Sequence, residues 1–241
     1  MLIENIIRKL KGNPDYKWES NYTLRDLFVI TATRLHQVMR GGWHKLFLKR
    51  SAGLFFVGYN VKLKHAYQVS AGRNFIVDDN VYINALSSNG IVIGDNVSIA
   101  RDCTLICTGI VSQKGVGISI GNNTGINAGT YLAGQGGIEI GEHVIIGPGV
   151  KVFSENHNFS DSGKAIKDQG VARSKVTIQS NCWIGANTAI LAGVNIGEGC
   201  VIAAGSIVTK SVPANSVAAG VPARVIKSRT DFDRENSLRA V

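Results

Sequence analysis

The chain has 241 residues, 44% hydrophobic and 18% charged, which supports a packed core and excludes a disordered chain. Its net charge of +9 is uneven: residues 1–50 hold ten Lys/Arg against four Asp/Glu, residues 51–209 ten of each, and residues 210–241 six against three. No interleaved basic and aromatic stripe accompanies that charge, which argues against nucleic acid, and the longest strongly apolar stretch, "LFVITAT", is too short to span a bilayer.

The N-terminal stretch "MLIENIIRKLKG" breaks its apolar run at Glu4 and Asn5, so it does not read as a secretory signal, and a cytoplasmic protein is expected. Within the basic segment 1–50, Leu24, Leu27, Phe28, Leu35, Val38 and Met39 fall at rough helical spacing. They predict a helix that Gly41–Gly42 interrupts or ends. Two readings stand for this segment. It packs as a helix on the rest of the chain, or its basic face makes a peripheral membrane contact, which would be at the inner face.

From residue 51 to 212 aliphatic residues recur every six positions. A weak set, Val57, Leu63 and Val69, then Val77 and Ile83, leads into Ile93, Ile99 and Leu105; then Ile120, Ile126 and Leu132; then Ile140, Ile146 and Val152. The last register, Ile178, Ile184, Ile190, Ile196, Ile202 and Val208, runs without a slip. A period of six is neither helical nor that of a long strand. Each hexad reads as a short strand plus a corner, the aliphatic pointing inward and Gly, Asn or Asp taking corners where φ is positive. Many stacked copies then share one dry core, as in solenoids. Cys103, Cys107, Cys182 and Cys200 lie in or beside the repeat without a CxxC pair or histidines at zinc spacing, so they read as small buried hydrophobes and no metal is expected.

The rhythm breaks at "ICTGIVSQKGVG" after Leu105 and, most widely, between Val152 and Ile178, where a polar loop over 153–176 carries His157. Insertions in a solenoid become loops on its outside, often on the binding face. After the final hexads come "AAGSIVTK" (203–210) and "AAGVPARVI" (218–226).

The hexads, these two tail motifs and the loop position together resemble the hexapeptide-repeat acyltransferases, in the galactoside/maltose and polysaccharide O-acetyltransferase branch. The resemblance covers roughly residues 57–227. It implies an all-β fold, a single-stranded left-handed parallel β-helix over 51–212, and a C-terminal turn and tail at 213–241 that binds coenzyme A; the helical N-terminal segment at 1–50, read from its spacing, precedes it. It also implies a homotrimer with active sites between neighbouring chains, acetyl-CoA as cosubstrate and a saccharide acceptor. The loop composition most resembles enzymes that decorate surface-polysaccharide precursors.

Acetyl transfer from a thioester to a sugar hydroxyl needs a base, donors to the oxyanion and aligned substrates. Of His36, His44, His65, His143 and His157, only His157 sits in a departure from the repeat, and the resemblance matches it to the family's catalytic histidine. Glu155, two residues earlier, would share its side of an extended segment and hold its tautomer, though a backbone carbonyl would serve as well. The resemblance aligns Asn127 with an acceptor-contacting asparagine; the alternative is an asparagine that braces stacked turns. In "WIGA" only the backbone N–H of Ala186 is left to serve the thioester oxygen, where relatives carry a serine. Small residues Ala186 and Ala204 let a pantetheine arm lie close. Thr209, Lys210, Arg224 and Lys227 offer donors and cations to its phosphates. By resemblance Gly220–Pro222 flanks the adenine, and Trp183 borders the pantetheine or packs on a neighbouring chain.

Four other readings compete with this one. A xenobiotic O-acetyltransferase or a nucleotide-sugar N-acetyltransferase would use the same donor. A zinc hydratase on the same solenoid would need three clustered histidines, and His65, His143 and His157 lack that spacing. A non-catalytic β-helix scaffold would need neither the tail motifs nor the histidine loop.

Overall fold

The six-residue rhythm resolves into strands of two to three residues joined by sharp corners. This computed structural model describes residues 21–110 and 112–230, together with residues 4, 8, 9, 14, 15 and 17. The strands stack into three sheets that form the faces of a triangular prism. The first face holds seven strands, from Arg50–Ser51 to Asn195–Ile196. The second holds nine, from Phe55–Val57 to Ala223–Ser228, and the third seven, from Lys62–Lys64 to Ile207–Val208. The fold is a left-handed parallel β-helix, against the usual right-handed preference for crossovers.

Register follows the hexads. Ile120, Ile140, Ile178 and Ile196 stack on the first face. Ile126, Ile146, Ile184 and Ile202 stack on the second, and Leu132, Val152, Ile190 and Val208 on the third. These side chains are buried, as are all four cysteines, which are free thiols. Each fully buried isoleucine contributes about 1.5–3 kcal/mol, so the core is a sum of many like terms along one axis. Phe55 and Phe75, with ring centroids 5.0 Å apart, stack at its N-terminal end.

The corners carry the positive backbone angles expected of them. On the edge joining the first face to the second, Asn74, Asn96, Asn123, His143, Asn181 and Asn215 have φ between 54° and 59°. Their side chains form ladders, Asn74 Nδ2 donating to Asn96 Oδ1 at 2.9 Å and Asn96 Nδ2 to Asn123 Oδ1 at 3.0 Å. We call this the asparagine edge. Second to third lies the glycine edge, which includes Gly129, Gly149 and Gly205, and third to first the loop edge.

The helix, α1 (Leu24–Lys45), begins at a capping box: Asp26 N–H donates to Thr23 Oγ1 at 3.2 Å, and Thr23 N–H to Asp26 Oδ2 at 2.9 Å. Contrary to the sequence expectation, Gly41–Gly42 does not end it. The helix runs through both to Lys45, and Gly41 has a packing role instead: a Cβ there would lie 1.7 Å from the Phe55 carbonyl oxygen. The glycine is the point of closest approach to the coil. The packing face also differs from the predicted stripe. Gln37 and Gly41 are buried against the coil, with Arg40 Nε donating to Val57 O at 2.8 Å. Leu24, Phe28, Leu35 and Met39 instead face away and are 61–87% exposed.

Candidate active site

The expected loop contains regular structure. The chain leaves the third face after Phe153, forms an antiparallel hairpin of Glu155–His157 with Val171–Arg173, and rejoins the first face at Val176. Its base is closed by Ser154, whose side chain is buried. Ser154 Oγ donates to Ala133 O at 2.6 Å and accepts from Gly136 N–H at 2.8 Å, and Ser174 N–H donates to Ser154 O at 3.0 Å. The tip is laced by Gln169, which accepts from Asp161 N–H at 3.0 Å and donates to the carbonyls of Asp161 and Lys164, both at 2.8 Å. An open insertion thus becomes a braced arm on the loop edge.

His157 lies on this arm, exposed, and its imidazole has no hydrogen-bond partner among the described residues. Glu155 shares its side of the strand, but its carboxylate is engaged elsewhere. Glu155 sits directly across from Arg173 in the ladder, and Arg173 Nε donates to Glu155 Oε2 at 2.7 Å. The guanidinium also donates through Nη1 to Lys114 O at 3.0 Å and through Nη2 to Gln113 O at 3.2 Å. Glu155 is therefore part of a clamp that fixes the histidine arm to the neighbouring loop, and it does not orient the imidazole. Sequence reasoning missed Arg173, because its partners include two backbone carbonyls about 60 residues away, for which no local pattern exists.

The glycine edge gathers a second group. Asn127, Gly147, Gly185 and Ala203 occupy equivalent positions on successive coils, each the residue after a strand of the second face. Asn127 Nδ2 donates to Ile146 O at 2.8 Å, bracing the next turn, which leaves its Oδ1 as the side chain's spare acceptor. Ala186 and Ala204 stack one coil apart, and the coils meet closely there: a Cβ on Gly185 would meet Ala204 N at 2.4 Å. Among the described residues the Ala186 N–H donates to no protein acceptor. The turn at Gly220–Pro222 closes over the end of this edge, Gly220 N–H donating to Ser206 Oγ at 3.2 Å. Arg224 follows, exposed, with Nη1 donating to Ala223 O at 2.9 Å, and Lys227 pairs with Val217 in the same final hairpin.

Trp183 projects from the second face, 54% exposed, directly above the 56% exposed Ile145. Thr209 and Lys210 lie on the loop edge, beyond the hairpin and at the last coil. Two groups therefore form within one chain: Asn127, Ala186, Ala204, Gly220 and Pro222 along the glycine edge, and His157, Glu155, Thr209 and Lys210 along the loop edge. The third face separates them. A shallow groove on the first face, lined among others by Ser119, Glu139, Thr177 and Glu198, holds none of these residues.

Comparison with known proteins bears on the repeat. Residues 175–210, the slip-free hexads, match the family model described as the hexapeptide repeat of succinyl-transferase. A galactoside O-acetyltransferase of Escherichia coli is 39% identical over 120 residues, covering 50% of this chain and 58% of that protein. A galactoside O-acetyltransferase of Lactococcus lactis is 36% identical over 136 residues, covering 56% and 64%. A probable acetyltransferase of Mycobacterium tuberculosis is 37% identical over 112 residues, covering 46% and 35%. The chain thus matches less than two thirds of the length of each of these relatives. Among solved structures, AntD, an N-acyltransferase from Bacillus cereus in complex with dTDP and coenzyme A, superposes with a TM-score of 0.54 at 27% identity, covering 76% of this chain and 94% of that one. By its coil, its repeat and these relatives, the chain is similar to the hexapeptide-repeat acetyltransferases over part of its length.

Proposed function

We propose that the protein is an acetyl-CoA-dependent O-acetyltransferase that modifies a sugar hydroxyl of a surface-polysaccharide precursor. The observation that carries this reading is an exposed imidazole, free of protein partners among the described residues, held on a hairpin braced at base, tip and flank. A neutral imidazole so placed accepts the acceptor hydroxyl's proton as its oxygen attacks the thioester carbonyl, then returns that proton to the departing thiolate of coenzyme A. The spare N–H of Ala186 on the glycine edge is suited to the oxyanion that forms between those steps. Ala204 and Ala186 leave room for a pantetheine arm against the backbone, and Arg224, Lys227 and Lys210 offer charge to its phosphates.

The two groups lie on different edges of one prism, so a complete site needs the loop edge of one copy and the glycine edge of the next. This supports a homotrimer, and the outward pair Ile145 and Trp183 gives the second face apolar surface for such contact. Light scattering should then return about three times the chain mass of 25.7 kDa.

The likeness to AntD favours one second reading, N-acetylation of a nucleotide-linked amino sugar. The two are separated by supplying acetyl-CoA with a panel of sugars, glycans, amino sugars and xenobiotic alcohols, and following thiol release and product by mass spectrometry. Ester products on saccharides support the proposal. Amide products alone select the second reading, and coenzyme A release with no acceptor in the panel refutes both.

A further inference from the structure

α1 presents an apolar face that nothing described in the chain covers. At about 100° per residue, Leu24, Phe28, Leu35, Met39 and Leu46 fall within an arc about 60° wide, on the side opposite Gln37 and Gly41, which face the coil. Leu24 is 87% exposed, and Phe28, Met39 and Leu46 are each 74% exposed. Trp43, 65% exposed, and Phe47, 52% exposed, widen the strip at its C-terminal end, where their rings meet edge to face at 5.6 Å. A monomer's surface rarely leaves so long an apolar run without an occupant.

The charge around this strip indicates which occupant. Residues 24–79 contain nine Lys/Arg against three acids: Asp26, whose carboxylate is held in the Thr23 capping box, Asp78, 4.0 Å from Arg34, and Asp79, which accepts from the Tyr59 N–H. Arg25 at the start of the strip, and Lys49 and Arg50 just past its end, are exposed. A second copy laid on this face would bring an equally basic segment with it, and like charges would meet. An anionic lipid surface supplies the opposite charge together with an apolar interior for Phe28, Trp43 and Phe47. No described helix is long and apolar enough to cross a membrane, so the contact is peripheral.

We propose that the outward face of α1 seats the protein on an anionic lipid surface, apolar side chains immersed and Arg25, Lys49 and Arg50 at the headgroups. This assignment rests on the helix alone and stands apart from the acetyl-transfer reading. The test is cosedimentation of the full chain with vesicles of phosphatidylcholine, or of three parts phosphatidylcholine to one part phosphatidylglycerol. Wild type should bind the mixed vesicles about tenfold or more tightly than the neutral ones and lose that preference near 1 M salt. Both Phe28→Ser/Met39→Ser/Leu46→Ser and Lys49→Glu/Arg50→Glu should lose about tenfold in binding with circular dichroism unchanged. Because the charge pair leaves the helix intact, it keeps the test decisive if the triple variant misfolds. Absence of vesicle binding by wild type overturns the proposal, as does equal binding to both vesicle types. If the triple variant lowers the mass in light scattering while wild type ignores vesicles, the face is an interface between copies instead.

Discussion

His157 is exposed on a short strand, and the side chain that fixes that strand is Arg173, which binds Glu155 and two carbonyls of the neighbouring loop. The clamp uses three different guanidinium nitrogens for three acceptors, a fixed fork that an ammonium does not reproduce. If His157 is the base proposed above, Arg173→Ala should lower kcat by about tenfold or more while leaving KM for acetyl-CoA near its wild-type value, because it misplaces that base and lies outside the residues proposed to hold the cofactor. Arg173→Lys should recover only part of that loss. If Arg173→Ala lowers Tm but leaves kcat unchanged, the clamp serves stability alone. At this scale the sequence was legible where a segment breaks the repeat, as the excursion carrying His157 does, and illegible where the partner is backbone, as for Arg173. The pairing expected between Glu155 and His157 is displaced by a cross-strand side chain: strand alternation puts both on one side, but Arg173, across the ladder, binds the carboxylate.

α1 shows what a sequence pattern can and cannot assign to an element. Its spacing identified a helix, and a capping box marks the start at Thr23. Period alone does not say which face meets the coil, and the apolar stripe was the outward one. A glycine pair normally weakens a helix by about 0.5–1 kcal/mol per residue relative to alanine, which is why Gly41–Gly42 read as its end. The structure distinguishes the two glycines. A Cβ on Gly41 would collide with the Phe55 carbonyl, whereas one on Gly42 meets nothing within 4 Å. Gly41→Ala should therefore lift the helix off the coil and cost about 1–3 kcal/mol, read as a lower midpoint in urea. Gly42→Ala should be neutral or stabilising by up to about 1 kcal/mol. Equal effects from both variants would remove the close-approach explanation.

Across the whole molecule, the hexads specified the coil because each repeat is the same local statement made again, and the stacked isoleucines repeat it in space. The long interruption after Val152 was legible as an excursion, while its interior, a hairpin closed by Ser154 and laced by Gln169, was not, since isolated polar contacts carry no period. The same regularity distributes the candidate site. A prism offers three edges, and the histidine arm and the small-residue track occupy two of them, so the chemistry proposed for this protein depends on how copies meet as much as on any one chain. The most direct measurement is acceptor-dependent release of coenzyme A from acetyl-CoA by wild type and His157→Ala side by side, with matched circular dichroism. The account predicts release in the wild type and a fall of about a hundredfold or more in the variant. Equal rates in the two proteins would contradict it.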